Sequence, residues 1–159
     1  MIIKGLIDED FVNYKKPSMV IMFPSCSWKC EKECGQRVCQ NSVLAVNPNM
    51  DISSELIVER YVANPITKAI VLGGLEPLDS FGDLAYLMHV IRVEFACNDD
   101  IVIYTGYRED EIERELDILA SYENIIVKFG RYIPNRPSHF DEVLGVNLAS
   151  ENQYAVKIS

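Results

Sequence analysis

The sequence has no apolar run near the roughly 20 residues needed to cross a bilayer as a helix, which argues against a membrane span. It is poor in cations: 15 Lys and Arg stand against 24 Asp and Glu, a net charge of −9. Nucleic-acid binding needs clustered Lys and Arg, so that class of partner is not expected. The one local exception is Lys29, Lys32 and Arg37, equally readable as a solvated loop or an anion site. Histidine is scarce, and packing or solvent accounts for both His89 and His139. Repeats, low-complexity tracts and interdomain linkers are also missing. A single domain over residues 1–159, with chain enough for a real core, is therefore expected. The opening Met1–Asp10 turns acidic too early for a secretory signal, and a cytoplasmic location is the expectation.

What the chain does have is cysteine in one place. Four of its five fall at positions 26, 30, 34 and 39. In a reducing compartment such a cluster reads as metal-binding or catalytic rather than disulfide-bonded. Soft thiolates select zinc, copper(I) or iron–sulfur centres. The gaps are three, three and four residues, so all four sulfurs share a loop of 14 residues. A structural zinc site usually has two cysteine pairs with a long spacer, and four thiolates on one ion in so short a loop would be cramped. Three thiolates on three irons of a 4Fe–4S cube is easier, and it leaves the fourth iron open. Cys97, at the end of an apolar helix, reads as a buried small hydrophobe.

The cysteines follow Met19–Phe23, a continuous apolar run that predicts a buried strand. Residues 2–7 predict an edge strand, and 8–17 a loop. Asp51 or Ser53 can cap a helix over 53–63, stopped at Asn64-Pro65. A second strand, 66–72, runs into Gly73-Gly-Leu-Glu-Pro77, which alone is no more than a tight turn opening a helix. Ser80 is the expected cap of a helix carrying Phe81, Leu84, Leu87, Met88, Ile91 and Phe95 on one face. Strands at 100–104 and 124–128 flank an acidic helix at 108–121, whose Glu109, Asp110, Glu111, Glu113 and Glu115 read as a solvated face. The tail from Pro134 is less periodic and ends in a strand at 153–158.

Strand and helix in alternation predict an α/β fold with a parallel sheet. The chain is too short for a full eight-fold barrel of about 250 residues, so a partial, open barrel or a sheet of five to six strands with flanking helices is expected. The loops after all four main strands would then open on one rim.

A cysteine loop after the first core strand and a Gly-Gly-Glu-Pro-type turn after the second resemble the radical S-adenosylmethionine enzymes. Cys39-Gln-Asn41, Gly73–Pro77, Ile103–Tyr107, Phe129-Gly-Arg-Tyr132 and Ser150–Gln153 narrow the likeness to the activating enzymes of anaerobic ribonucleotide reductases, in order and at similar spacing over residues 18–158. The resemblance implies a 4Fe–4S cluster, S-adenosylmethionine as cofactor, and a glycyl radical raised on a large partner reductase. It also implies an electron donor such as flavodoxin. By the same likeness Gly73, Gly74, Glu76, Val38, Thr105 and Tyr107 are cofactor-binding residues. The family's C-x3-C-x2-C spacing is absent. Cys26 and Cys30 supply the first gap, and the third ligand is Cys39 or Cys34; Val38 before Cys39 suits an adenine face better than Glu33 before Cys34. Leu75 is an insertion in the Gly-Gly-Glu-Pro pattern, and Phe129 replaces a usual acid. Action on another substrate, a peptide or nucleobase precursor, and a non-catalytic zinc or iron–sulfur module are the alternative readings.

Overall fold

The structure is a computed structural model describing residues 1–159. The chain opens with β1 (Ile2–Ile3), β2 (Gly5–Asp10) and β3 (Ser18–Phe23). The cysteine segment holds α1 (Lys29–Cys34) and a 3-10 turn, Ser42–Val46. Next come β4 (Met50–Asp51), α2 (Ser54–Ala63), β5 (Ala69–Gly74), a 3-10 turn Pro77–Ser80 and α3 (Phe81–His89), which runs on into a π turn, Val90–Glu94. Then follow β6 (Asp100–Tyr104), a 3-10 turn Glu109–Glu111, α4 (Glu113–Leu119), β7 (Ile125–Phe129), β8 (His139–Asp141), β9 (Val146–Leu148) and β10 (Tyr154–Lys157).

Six strands form one sheet in the order β10-β7-β6-β5-β3-β2. The four central strands are parallel, but both edges run antiparallel, so the sheet is mixed. The reason lies in the connections. Only the loop between Asp10 and Ser18 joins β2 to β3, whereas a parallel neighbour requires a crossover of about a dozen residues or more. After β7 no helix carries the chain back to the far rim, so β10 returns along β7 from the rim at which β7 ends. The small β1–β4 pair and the β8–β9 hairpin are separate; strands this short give no periodicity to read.

Interior strands are buried on both faces, which is why they are nearly continuous in Val, Ile and Leu. One face carries Ile21, Phe23, Leu72, Ile103 and Val127 and packs against Ile57, Leu84, Leu87 and Leu119 of α2, α3 and α4. The opposite face carries Val20, Val71, Val102 and Ile126, covered by Tyr14 and by Leu144 and Leu148 of the C-terminal hairpin region. Helices therefore occupy a single face, as same-handed crossovers between successive strands require.

Ser53 caps α2, its Oγ accepting the Leu56 N–H at 3.2 Å. Ser80 does not cap α3 as expected. The turn Pro77–Ser80 leads straight into α3, so the cap falls one turn earlier, on Glu76, whose carboxylate accepts the Leu78 N–H at 3.2 Å. The Ser80 hydroxyl instead meets Ser25 Oγ at 2.9 Å. The acidic helix expected from residue 108 starts at Glu113.

Leu72, fully buried on the strand that delivers the Gly73-Gly74 turn, is a direct test of this core. Leu72→Ala is expected to lower unfolding free energy by about 2–5 kcal/mol, read from urea denaturation; a loss under about 1 kcal/mol would mean that β5 is not at the centre of the packing.

Candidate functional site

Parallel pairing sets the strand exits side by side. Phe23 is in register with Gly74, Leu72 with Ile103, and Tyr104 with Lys128. The segments after β3, β5, β6 and β7 therefore leave the sheet along one rim. There a cavity of about 410 Å³ opens on the face away from the helices, lined among others by Cys26, Cys30, Cys39, Gly73, Gly74, Glu76, Thr105 and Lys128. This is the rim at which open α/β sheets bind ligands, and the volume lies within the ordinary range for a small-molecule site.

The cysteine segment is fastened to the rim from several sides. The Glu76 N–H donates to Ser25 C=O at 2.8 Å, which ties the β5 exit to the β3 exit. Asn41 Nδ2 donates to Gly74 C=O at 2.7 Å, which brings Cys39-Gln-Asn41 over the glycine turn. The Ser27 N–H bonds the Asp79 carboxylate, whose other oxygen accepts from Tyr107 Oη. Gly74 has φ +83°, and a Cβ there would lie 2.8 Å from the Met22 backbone. Only glycine allows β5 to pass so close to β3 at this point.

On the outer side of α1 lies a chain of charges. Arg131, 5% exposed, forms a two-armed pair with Glu111, at 2.8 and 2.7 Å. Lys29 reaches Glu111 at 3.4 Å and sits 4.1 Å from the Tyr107 ring centroid. Glu33 lies 3.3 Å from Arg131 and 3.6 Å from Arg108. The short helix bearing Cys30 is thus clamped to the segments that follow β6 and β7. Planar, two-armed Arg–carboxylate pairing is the strong form of this contact, and it holds Glu111 well below the usual carboxylate range, at about 2. Glu111 belongs to this clamp and not to the solvated face that its acidic neighbours suggest.

Inside the cavity the Glu76 carboxylate accepts three protein hydrogen bonds, from Thr105 Oγ1 at 2.8 Å, the Gly106 N–H at 2.8 Å and the Leu78 N–H at 3.2 Å. A carboxylate offers about four acceptor positions, so about one is left for a ligand. Burial pushes Glu76 up to about 7 despite these bonds. Burial also raises the thiols: Cys26 to about 11, with the nearby Glu76 and Asp79 charges adding, and Cys30 and Cys39 in the same direction. The positive charge of a bound metal would favour the thiolate form of all three. No three Cys, His, Asp or Glu side chains converge tightly enough to share a single ion. Thiolates on a cluster each bind a different iron, so the looser spread of Cys26, Cys30 and Cys39 around one cavity fits a cluster better than one ion.

Of the residues singled out from sequence, Cys26, Cys30, Cys39, Gly73, Gly74, Glu76 and Thr105 line the cavity together. Cys34, Val38 and Tyr107 do not. Cys34 ends α1, Val38 is half-buried outside the cavity, and Tyr107 bonds Asp79 from the loop after β6. Leu44, on the 3-10 turn that follows Cys39, is part of the apolar lining. Two further sequence motifs meet below: Asn152 Nδ2 donates to Arg131 C=O at 2.8 Å, and Gln153 Nε2 to Gly130 C=O at 3.3 Å. Sequence reasoning passed over Lys128, which is buried in the cavity wall. No local signal marks it, since a lysine near the end of an apolar strand reads equally well as one reaching for water.

The family model for a 4Fe-4S single cluster domain matches residues 18–153. No curated protein and no solved structure matches the chain. No helix is long and apolar enough to cross a membrane.

The clamp has a pH signature. Glu111 ionises at lower pH in the folded chain than in the unfolded one, so its contribution is present at neutral pH and is lost as pH falls from the ordinary glutamate value, ~4.3, to about 2. Glu111→Gln is expected to be less stable than the wild type at pH 7, with the gap closing across that window in denaturant unfolding. A gap independent of pH would overturn the assignment.

Proposed function

The chain belongs to the family of 4Fe-4S single cluster domains, and we propose that it is a radical S-adenosylmethionine enzyme of the glycyl-radical-activating type. The observation that carries this reading is the shared cavity: three cysteines on the segment after β3, and the Gly73-Gly74-Leu75-Glu76 stretch at the end of β5, face the same space. Cys26, Cys30 and Cys39 are the proposed cluster ligands. When bound, the reduced cluster would supply one electron, drawn from an external donor such as flavodoxin, to cleave the sulfonium bond of S-adenosylmethionine into methionine and a 5′-deoxyadenosyl radical.

The chain's own residues have the remaining tasks. Gly73 and Gly74 carry no side chains and let a ligand approach the backbone. Glu76, preset by Thr105 and Gly106, has an acceptor position left for the ligand's ammonium group, and a charge-assisted hydrogen bond would favour the ionised carboxylate. Leu44 offers an apolar surface to the nucleoside end in the role that the sequence suggested for Val38. Asn41 keeps the Cys39 end of the loop on the glycine turn. On this reading the sheet is an abbreviated relative of a full barrel, open at its side, so that a glycine-bearing loop of an anaerobic ribonucleotide reductase or another glycyl radical enzyme could reach the radical.

Cysteine variants test the ligand set. After anaerobic reconstitution, Cys26→Ala, Cys30→Ala and Cys39→Ala are each expected to lose most of their bound iron and at least about 100-fold in release of 5′-deoxyadenosine, no less than the largest losses seen when a residue that merely supports a metal ligand is replaced. Cys34→Ala should keep both within about twofold. Zinc bound by the wild type in place of iron, or a Cys34 variant as damaged as the others, would contradict the proposal.

A further inference from the structure

Cys26 stands between two residues that are both fastened to the segment Glu76–Ser80. On one side the Ser25 C=O accepts the Glu76 N–H at 2.8 Å, and Ser25 Oγ meets Ser80 Oγ at 2.9 Å. On the other side the Ser27 N–H donates to the Asp79 carboxylate. The second Asp79 oxygen accepts from Tyr107 Oη at 2.5 Å. The Tyr107 ring lies 4.1 Å from Nζ of Lys29, the first residue of α1. Asp79 therefore spans from the segment after β6 to the peptide that follows Cys26.

An acid just before a helix ordinarily serves the free N–H groups of that helix. Asp79 spends both oxygens on Ser27 and Tyr107 instead, and the Lys29 ammonium pairs with Glu111 rather than with it. The residue after Ser27 is strained. Trp28 has φ 58° and ψ 36°, in the left-handed region that a bulky residue keeps only where its surroundings impose it. In that conformation the Trp28 N–H donates to Cys26 Sγ over 3.2 Å, and the Trp28 C=O accepts the Lys32 N–H at 3.0 Å to open α1. The bond from Ser27 to Asp79 pins the peptide immediately before this strained residue.

We infer that Asp79 is a positioning residue for Cys26. Braced by Tyr107, its carboxylate fixes the Ser27-Trp28 turn so that the Cys26 sulfur is held at the cavity with a backbone N–H already bonded to it. This rests on the cluster ligands proposed above. Hydrogen bonds to the sulfurs are one of the protein's levers on an iron–sulfur centre, and groups one step removed from a metal ligand commonly set its orientation. Tyr107, placed among the cofactor contacts by the family likeness, has a different task here, as the support behind Asp79.

Trp28 is the sole tryptophan of the chain, so its fluorescence reports on this turn directly. In the full-length chain before reconstitution, time-resolved anisotropy is expected to show a larger fast depolarisation in Asp79→Ala than in the wild type. Asp79→Asn keeps an acceptor for the Ser27 N–H and should stay close to the wild type. After anaerobic reconstitution, the chelator concentration that removes half of the iron should fall about tenfold in Asp79→Ala, the lower end of losses for residues that support a metal ligand, and less than about twofold in Asp79→Asn. Tyr107→Phe, which takes one hydroxyl from the brace and leaves the ring, should move both readings the same way by less, and it carries the test if Asp79→Ala does not fold. Either reading left at its wild-type value in Asp79→Ala overturns the inference, and so does an Asp79→Asn variant as impaired as Asp79→Ala. A wild type that assembles no 4Fe–4S cluster would instead bring down the ligand reading itself, and the inference with it.

Discussion

The parallel pairing of β3 with β5 is the constraint on which the site depends. Its register carries Phe23 against Gly74, so the cysteine segment and the glycine turn leave the sheet as neighbours. The bonds Glu76 N–H to Ser25 C=O and Asn41 to Gly74 C=O then fix the two segments to each other. A one-residue slip would exchange the faces of every β3 side chain, turning Met19, Ile21 and Phe23 away from the helices they pack on. The burial of those three residues therefore fixes the relation of sulfur to turn, and packing on one face of the sheet determines chemistry on the other.

Charge balance within the cavity follows from that placement. Burial raises all three thiols; Glu76 is shifted toward neutrality by burial to about 7, and Lys128 down to about 8. The three thiols, Glu76 and Lys128 are all pushed toward their uncharged forms. Such a site is electrostatically unfinished on its own, and perturbed groups gathered in one cleft mark function more often than structure. On the outer side of α1 the situation is reversed, with Arg131, Glu111, Lys29 and Glu33 satisfying one another. The helix is anchored by its polar side and leaves its sulfur-bearing side free for a ligand.

Much of this was legible in the residues, for a physical reason. Strands buried on both faces must be apolar throughout, so β3, β5, β6 and β7 stand out as runs of Val, Ile, Leu and Met, and with them the rim on which their loops meet. Capping by Ser53 was legible because nothing competes for its hydroxyl; Ser80 misled because the helix turn starts at Pro77 and Glu76 takes the cap. The antiparallel edges depend on connection length more than on strand composition. Pairings between distant charges had no local signature: Glu111 looks like any acid in an acidic stretch until Arg131 is folded against it, and Lys128 looks like a strand end reaching for water. Cys34 and Cys39 could not be separated by spacing. Only the turn of α1 separates them, leaving Cys34 at the helix end while Cys39 returns to the cavity.

The central claim is that Cys26, Cys30 and Cys39 would hold a 4Fe–4S cluster with one iron left free for S-adenosylmethionine. Mössbauer spectroscopy of the protein reconstituted with iron-57 addresses it most directly. The account predicts one iron in four to be spectroscopically distinct, and its signal alone to change when S-adenosylmethionine is added. Four equivalent irons unaffected by that addition would contradict it.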